Sequence, residues 1–123
     1  MTTKGLGNDI IEIDRVRKGF EAHGQPFLDR LFTKKEQEYC QLHSDPYPRY
    51  AGRFAAKEAI VKALGCGFGT EAGWHDIEII ADAKGKPEVH ISSGLKERFN
   101  SPKILVSISH CKEYAAAVAI WVN

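Results

Sequence analysis

RFAAKEAIVKALGCGFG, residues 53–69, is the stretch whose reading decides the fold. Plotted at about 100° per residue, Phe54, Ala55, Ala56, Ala59, Ile60, Val61, Ala63 and Leu64 run almost all the way round a helix. A helix that is apolar all round is a buried one. Gly65 stands where that helix should stop, as a C-terminal cap. The polar residues fall into two narrow, nearly opposite stripes, Arg53 with Lys57 and Glu58 with Lys62. Two readings fit the second stripe. It is an ordinary i,i+4 ion pair, worth a few tenths of a kcal/mol, or a carboxylate and an ammonium facing a ligand.

Upstream, GLGNDIIEI (residues 5–13) alternates as a strand, which puts Asp9 on the same face as Ile11 and Ile13, towards the core. A carboxylate there must be paired, protonated or metal-bound, because burying it alone costs several kcal/mol. Asp9 from a strand and Glu58 from a helix would suit Mg²⁺, which takes one or two protein carboxylates and leaves other positions to water and phosphate. Lys62 would then reach the same phosphate. Asp14 is placed to cap a helix from Arg15 onward, and DRVRK makes a basic stripe of Arg15, Arg17 and Lys18. Such a stripe is a solvated face or a surface for an acidic partner.

The sequence predicts a short helix at PFLDRLF and a capping box at Thr33–Glu36 before QEYCQLH. After the break at SDPYP, the central helix should run from about Arg49 to Leu64. WHDIEIIAD and PEVHIS read as strands joined by a turn on Lys84-Gly85-Lys86-Pro87. SGLKERF is a short helix, and KILVSISH and YAAAVAIWV pair across HCKE. The expected class is α+β, a compact single domain over residues 1–123 with a mainly antiparallel sheet against the long buried helix.

GCGFGTEAG invites comparison with a phosphate cradle, but those loops precede a helix and this one follows it. Gly67 and Gly69 still leave room for a close backbone approach to a ligand. SISHCKEY puts Ser109 and His110 at a strand end with Lys112 beyond. A lone strand-end histidine is an ordinary surface or capping residue, and no Asp or second His stands near it in sequence to suggest a nucleophilic triad.

The 123 residues suffice for a core, and a net charge of +1 points neither to disorder nor to wholesale nucleic-acid binding. MTTKGLGNDI has no apolar segment of a secretory signal, and YAAAVAIWV is too short to span a bilayer. Three scattered cysteines without a CxxC pair suggest reduced thiols in a cytoplasmic protein.

Taken together, GNDIIEIDRV, GRFAAKEAIVKALGCGFG, HDIEI, the GKP turn and SISHCKEYAAA resemble the holo-acyl-carrier-protein synthase family of phosphopantetheinyl transferases. The resemblance spans nearly the whole chain, in order. It implies transfer of the 4′-phosphopantetheine arm of coenzyme A to a serine of acyl carrier protein, with release of adenosine 3′,5′-bisphosphate, in support of fatty acid biosynthesis. It implies Mg²⁺ on Asp9 and Glu58, with Lys62 near the pyrophosphate and catalytic with them. Coenzyme A contacts are implied at Arg53, Lys62, Gly67, Ser109 and His110, and carrier docking at Arg15 and Arg17. A cytoplasmic homotrimer with sites between subunits is implied as well. Asn8, where the family often has an aliphatic residue, and Cys111, where threonine is common, are minor departures. A non-catalytic coenzyme A or nucleotide-binding module of the same fold is the alternative, but it has no need of Asp9, Glu58 and Lys62 together. A pure protein-interaction domain using DRVRK leaves the acids in apolar settings unexplained.

Overall fold

The computed structural model describes residues 2–123. Strand β1 (Thr3–Glu12) leads into α1 (Ile13–His23), α2 (Gln25–Leu31), α3 (Lys34–Gln41) and the long α4 (Tyr47–Leu64). After the glycine loop and a 3₁₀ turn at Trp74–Asp76 come β2 (Ile77–Ala81), β3 (Pro87–Ile91), α5 (Ser93–Arg98), β4 (Lys103–His110) and β5 (Tyr114–Val122). The class is α+β, as expected. The strands form two antiparallel sheets where one was expected: a three-stranded sheet in the order β1-β5-β4, and the hairpin β2-β3.

Local signals account for most boundaries. Thr33 Oγ1 accepts the Glu36 N–H at 3.2 Å and Glu36 Oε1 accepts the Thr33 N–H at 2.8 Å, which is the capping box read from TKKE. Gly65 adopts φ 79° and donates its N–H to Val61 O, ending α4 in the left-handed conformation. Three expectations shift. Helix α1 begins at Ile13, not Arg15, because the Ile13 N–H is already satisfied by Glu113 O at 2.9 Å. Asp14 therefore sits inside the first turn, paired with Arg17 and Lys18, and caps nothing. Helix α4 starts two residues before Arg49, at Tyr47, with a proline in the first turn, where its missing N–H costs nothing. The strand expected from Trp74 begins at Ile77, because Asp76 Oδ2 holds the Gly73 N–H at 2.7 Å and bends the chain into a 3₁₀ turn first.

Helix α4 lies across the inner face of the three-stranded sheet, over buried Ala115, Ala117 and Ala119. The approach is close because β1 carries no side chain at the crossing. A Cβ at Gly7 would stand 2.0 Å from Ala59 O, and one at Gly5 would stand 1.9 Å from Ala63 O. On the outer face of the sheet, Leu6, Ile10, Leu105, Tyr114 and Val118 are exposed.

The Arg53–Lys57 stripe of α4 is buried too. Lys57 and Glu36 form a fully enclosed ion pair at 2.7 Å. Lys57 Nζ also donates to Leu31 O at 2.8 Å and to Trp74 O at 3.0 Å. The second oxygen of Glu36 accepts the Ile79 N–H at 2.8 Å.

Candidate active site

Asp9 and the Glu58–Lys62 stripe meet where β1 crosses α4. The alternation of β1 turns Asp9 inward, one residue pair from buried Ile11, and its side chain is 17% exposed. Lys62 Nζ donates to Asp9 Oδ1 at 3.0 Å and to Asn8 O at 3.1 Å. The ammonium thus turns across to the strand and makes no ion pair with Glu58, so the i,i+4 reading of the stripe gives way to a cleft between two elements. Glu58 is half-buried, and no hydrogen bond offsets its desolvation. Burial, and then the like charge of Asp9, hold its carboxyl above the usual glutamate range, with Lys62 opposing both.

Two carboxylates that repel one another, one of them without a hydrogen bond, fit a hard divalent cation that keeps several positions for water and ligand oxygens. Among the described residues no cluster of three or more His, Cys, Asp or Glu gathers, so the donor set is not a closed protein cage.

Beside the acids runs a slot. Ile11 follows Asp9 on the same face of β1, and Phe54 precedes Glu58 by one turn of α4. With Val16, Phe27, Leu31 and Trp74 they line a cavity of about 270 Å³ that Arg15 and Arg30 also border. Trp74 is the middle of an aromatic stack, its ring centroid 5.1 Å from Phe54 and 3.7 Å from Phe68.

The remaining residues suggested by the sequence lie elsewhere. Arg15 is exposed, but Arg17 is engaged with Asp14 at 3.0 Å and Asp45 at 3.6 Å, and lies over the Tyr47 ring. Arg53 leaves α4 on the side away from Glu58. It is 6% exposed, its guanidinium sits 4.3 Å from the Tyr39 ring centroid, and its Nε has no hydrogen-bond partner. Gly67, with φ 70°, lies in the loop beyond α4.

Ser109 and His110 separate. His110 pairs with Ala115, which pairs with Ile11, so His110 shares the inner face with Asp9. Ser109 pairs with Ala116 and through it with Ile10, on the outer face. Two strand spacings, about 10 Å, lie between the His110 and Ile11 positions. One chain therefore gathers Asp9, Glu58 and Lys62, but neither His110 nor Arg53 with them.

Sequence reasoning passed over Arg30, the close-approach glycines Gly5 and Gly7, and the Glu36–Lys57 pair. Its one available signal was a lysine in an otherwise apolar helix, which demands a buried acceptor.

Residues 5–119 match the model of the 4′-phosphopantetheinyl transferase superfamily. The chain is 56% identical over 119 residues to a holo-[acyl-carrier-protein] synthase of Protochlamydia amoebophila, covering 97% of this chain and 98% of that one. It is 51% identical over 120 residues to the synthase of Chlamydia caviae, covering 98% of each. The fold is similar to the crystal structure of the Neisseria meningitidis synthase, with a TM-score of 0.91 at 29% identity, over 99% of this chain and 100% of that one. It is also similar to the Helicobacter pylori synthase in complex with coenzyme A, with a TM-score of 0.88 at 34% identity, over 95% and 99% of the two chains.

Proposed function

The chain belongs to the 4′-phosphopantetheinyl transferase superfamily, and we propose that Asp9, Glu58 and Lys62 are the residues with which it carries out that chemistry. It transfers the 4′-phosphopantetheine arm of coenzyme A to a serine of an apo-acyl carrier protein. The serine oxygen attacks the phosphorus attached to pantetheine. The bond to the other phosphate breaks, and adenosine 3′,5′-bisphosphate and a proton leave.

The observation that carries this reading is the meeting of two carboxylates and an ammonium beside an apolar slot. Asp9 and Glu58 would hold Mg²⁺, which when bound neutralises the pyrophosphate and stabilises the charge that develops on the leaving phosphate. Lys62, already held at Asp9, adds a fixed positive charge at the same phosphates. Arg15, with Arg30 beside it at the slot, presents positive charge to an acidic carrier. Arg17 contributes less to docking, since Asp14 and Asp45 already neutralise it.

The functional unit is a homotrimer with its sites between subunits. Supporting this are the exposed apolar face of Leu6, Ile10, Leu105, Tyr114 and Val118, and the absence of His110 from the acid cluster of its own chain. An apolar patch of that kind on a soluble domain marks an association surface. His110, Gly67 and Ser109 then belong to the coenzyme A contacts completed across the interface, whereas Arg53, buried against the Tyr39 ring, is not placed to join them. The protein works in the cytoplasm, in keeping with three free cysteines and no described helix long and apolar enough to cross a membrane.

The test is to incubate the protein with coenzyme A, Mg²⁺ and an apo-acyl carrier protein, and to weigh the carrier. The carrier gains the mass of the phosphopantetheine arm with the natural chain and not with folded Asp9→Ala or Glu58→Ala. A non-catalytic coenzyme A module would bind coenzyme A and leave the carrier mass unchanged. That result overturns the reading, and a natural rate in either variant with Mg²⁺ limiting overturns the metal assignment.

A further inference from the structure

We infer that the buried Lys57–Glu36 pair is a positioning device for the transfer reaction, fixing the rotation of α4 and with it the aim of Glu58 at Asp9. The inference rests on the function proposed above. Lys57 is one residue before Glu58, about 100° round the same helix. It takes no part in the cleft.

The pair is fully enclosed and fully bonded. All three protons of Lys57 Nζ are used, on Glu36 Oε1, Leu31 O and Trp74 O. Glu36 Oε1 also accepts from Thr33 N–H, and Oε2 from Ile79 N–H. One node thus ties α4 to the end of α2, the start of α3, the 3₁₀ turn and β2. Stability alone is a poor reason for such a node, since well-packed apolar residues of similar volume are often as stabilising or more so.

Direction is what apolar residues would not supply here. Where α4 crosses β1 it presents Ala59 and Ala63 to Gly7 and Gly5, while its larger buried side chains, Tyr50, Ile60, Val61 and Leu64, pack on other parts of its surface. An alanine-on-glycine crossing is nearly smooth, and packing at that crossing says little about the rotation of the helix. Rotating it by about 10° swings a side-chain tip some 5–6 Å from the axis through about 1 Å. A misplacement of that size at a reacting centre costs on the order of 10²-fold in rate. The same node fixes the backbone of Leu31 and Trp74, two walls of the slot beside the acids.

The test is the apolar replacement Glu36→Leu/Lys57→Met, made in a Trp121→Phe background so that Trp74 alone reports by fluorescence. Three readouts are taken on the folded variant: steady-state transfer, Mn²⁺ affinity of the free protein by electron paramagnetic resonance, and Trp74 emission. The expected result is a folded protein whose kcat falls about 10–100-fold, whose Mn²⁺ binding weakens, and whose Trp74 emission shifts. A folded variant with the natural kcat, Mn²⁺ affinity and emission overturns the inference. So does a lower kcat with the other two unmoved. If the variant does not fold, Glu36→Gln/Lys57→Met, which keeps an acceptor for the Thr33 N–H, takes its place. Failure of both to fold makes the pair a purely stabilising element and overturns the inference too. If the natural chain shows no transfer, the functional reading falls separately, and the Mn²⁺ and Trp74 readouts still decide this one.

Discussion

At Glu58 the protein holds a carboxylate where its charge is disfavoured, by burial first and by Asp9 second. A raised folded-state pKa means that the folded chain binds more protons than the unfolded chain above the ordinary glutamate value of 4.5. The associated stability is complete below that value and is lost as pH rises through the folded pKa. Glu58→Gln should therefore raise Tm at pH 7 without divalent cations, and the gain should vanish in acid. Equal melting of the two proteins at pH 7 would show that the site stores no such penalty. The two arginines of the DRVRK stripe also part at this scale. Arg15 has no ion pair among the described residues, whereas Arg17 has two acidic neighbours. Arg15→Glu should raise the KM for the carrier several-fold, leave that for coenzyme A nearly unchanged, and flatten the dependence of the carrier KM on salt, because charge complementarity acts mainly through association rate. Arg17→Glu should also break the local pairs, so its Tm would fall alongside. A salt-independent KM in the natural protein removes this surface from the docking reaction.

At the scale of elements, the contact of α4 with β1 sets the site. The helix approaches until Ala59 O and Ala63 O occupy the space that side chains at positions 7 and 5 would fill. Gly7 is required for space, since it has no positive φ that only glycine would tolerate. Gly7→Ala must push α4 outward and separate Lys62 from Asn8 O and Asp9. Overpacking of this kind costs about 1–3 kcal/mol or more, so urea denaturation should show at least that loss, with a fall in kcat in the fraction still folded. A natural midpoint would mean that α4 shifts freely, which also removes the basis for a rigid acid pair. Helix α3 shows how one residue serves two elements. Glu36 closes the local capping box and accepts the buried ammonium of α4. The first job is legible in four consecutive residues, and the second joins positions 21 residues apart.

For the whole molecule, the question is what covers the outer sheet face and completes the acid site. In the three-fold ring proposed above, an Asp9→Ala chain would keep its histidine half-site and a His110→Ala chain its acid half-site. Unfolded together and refolded at equal ratio, they should give about a quarter of the sites both intact halves. Activity should recover to roughly that fraction of the natural rate although each parent is badly impaired. Mixed rings verified by native mass spectrometry but as inactive as their parents would place the complete site within one chain.

The sequence by itself determined the existence of the main elements, the Thr33–Glu36 and Gly65 caps, the burial of α4 and the inward face of Asp9, but not the start of α1, where Asp14 caps nothing. These follow from periodicity and from contacts within a few residues, which the order of residues states directly. The opposite facing of Ser109 and His110 follows from the same alternation. Tertiary structure alone decided who meets whom. It took Lys62 away from Glu58 and gave it to Asp9, paired Lys57 with Glu36, neutralised Arg17 with Asp45, and left His110 two strands from the acids. Each of those outcomes depends on the distance and rotation between elements, with Gly5 and Gly7 setting how closely α4 approaches β1, and spacing along a single helix or strand carries no record of them.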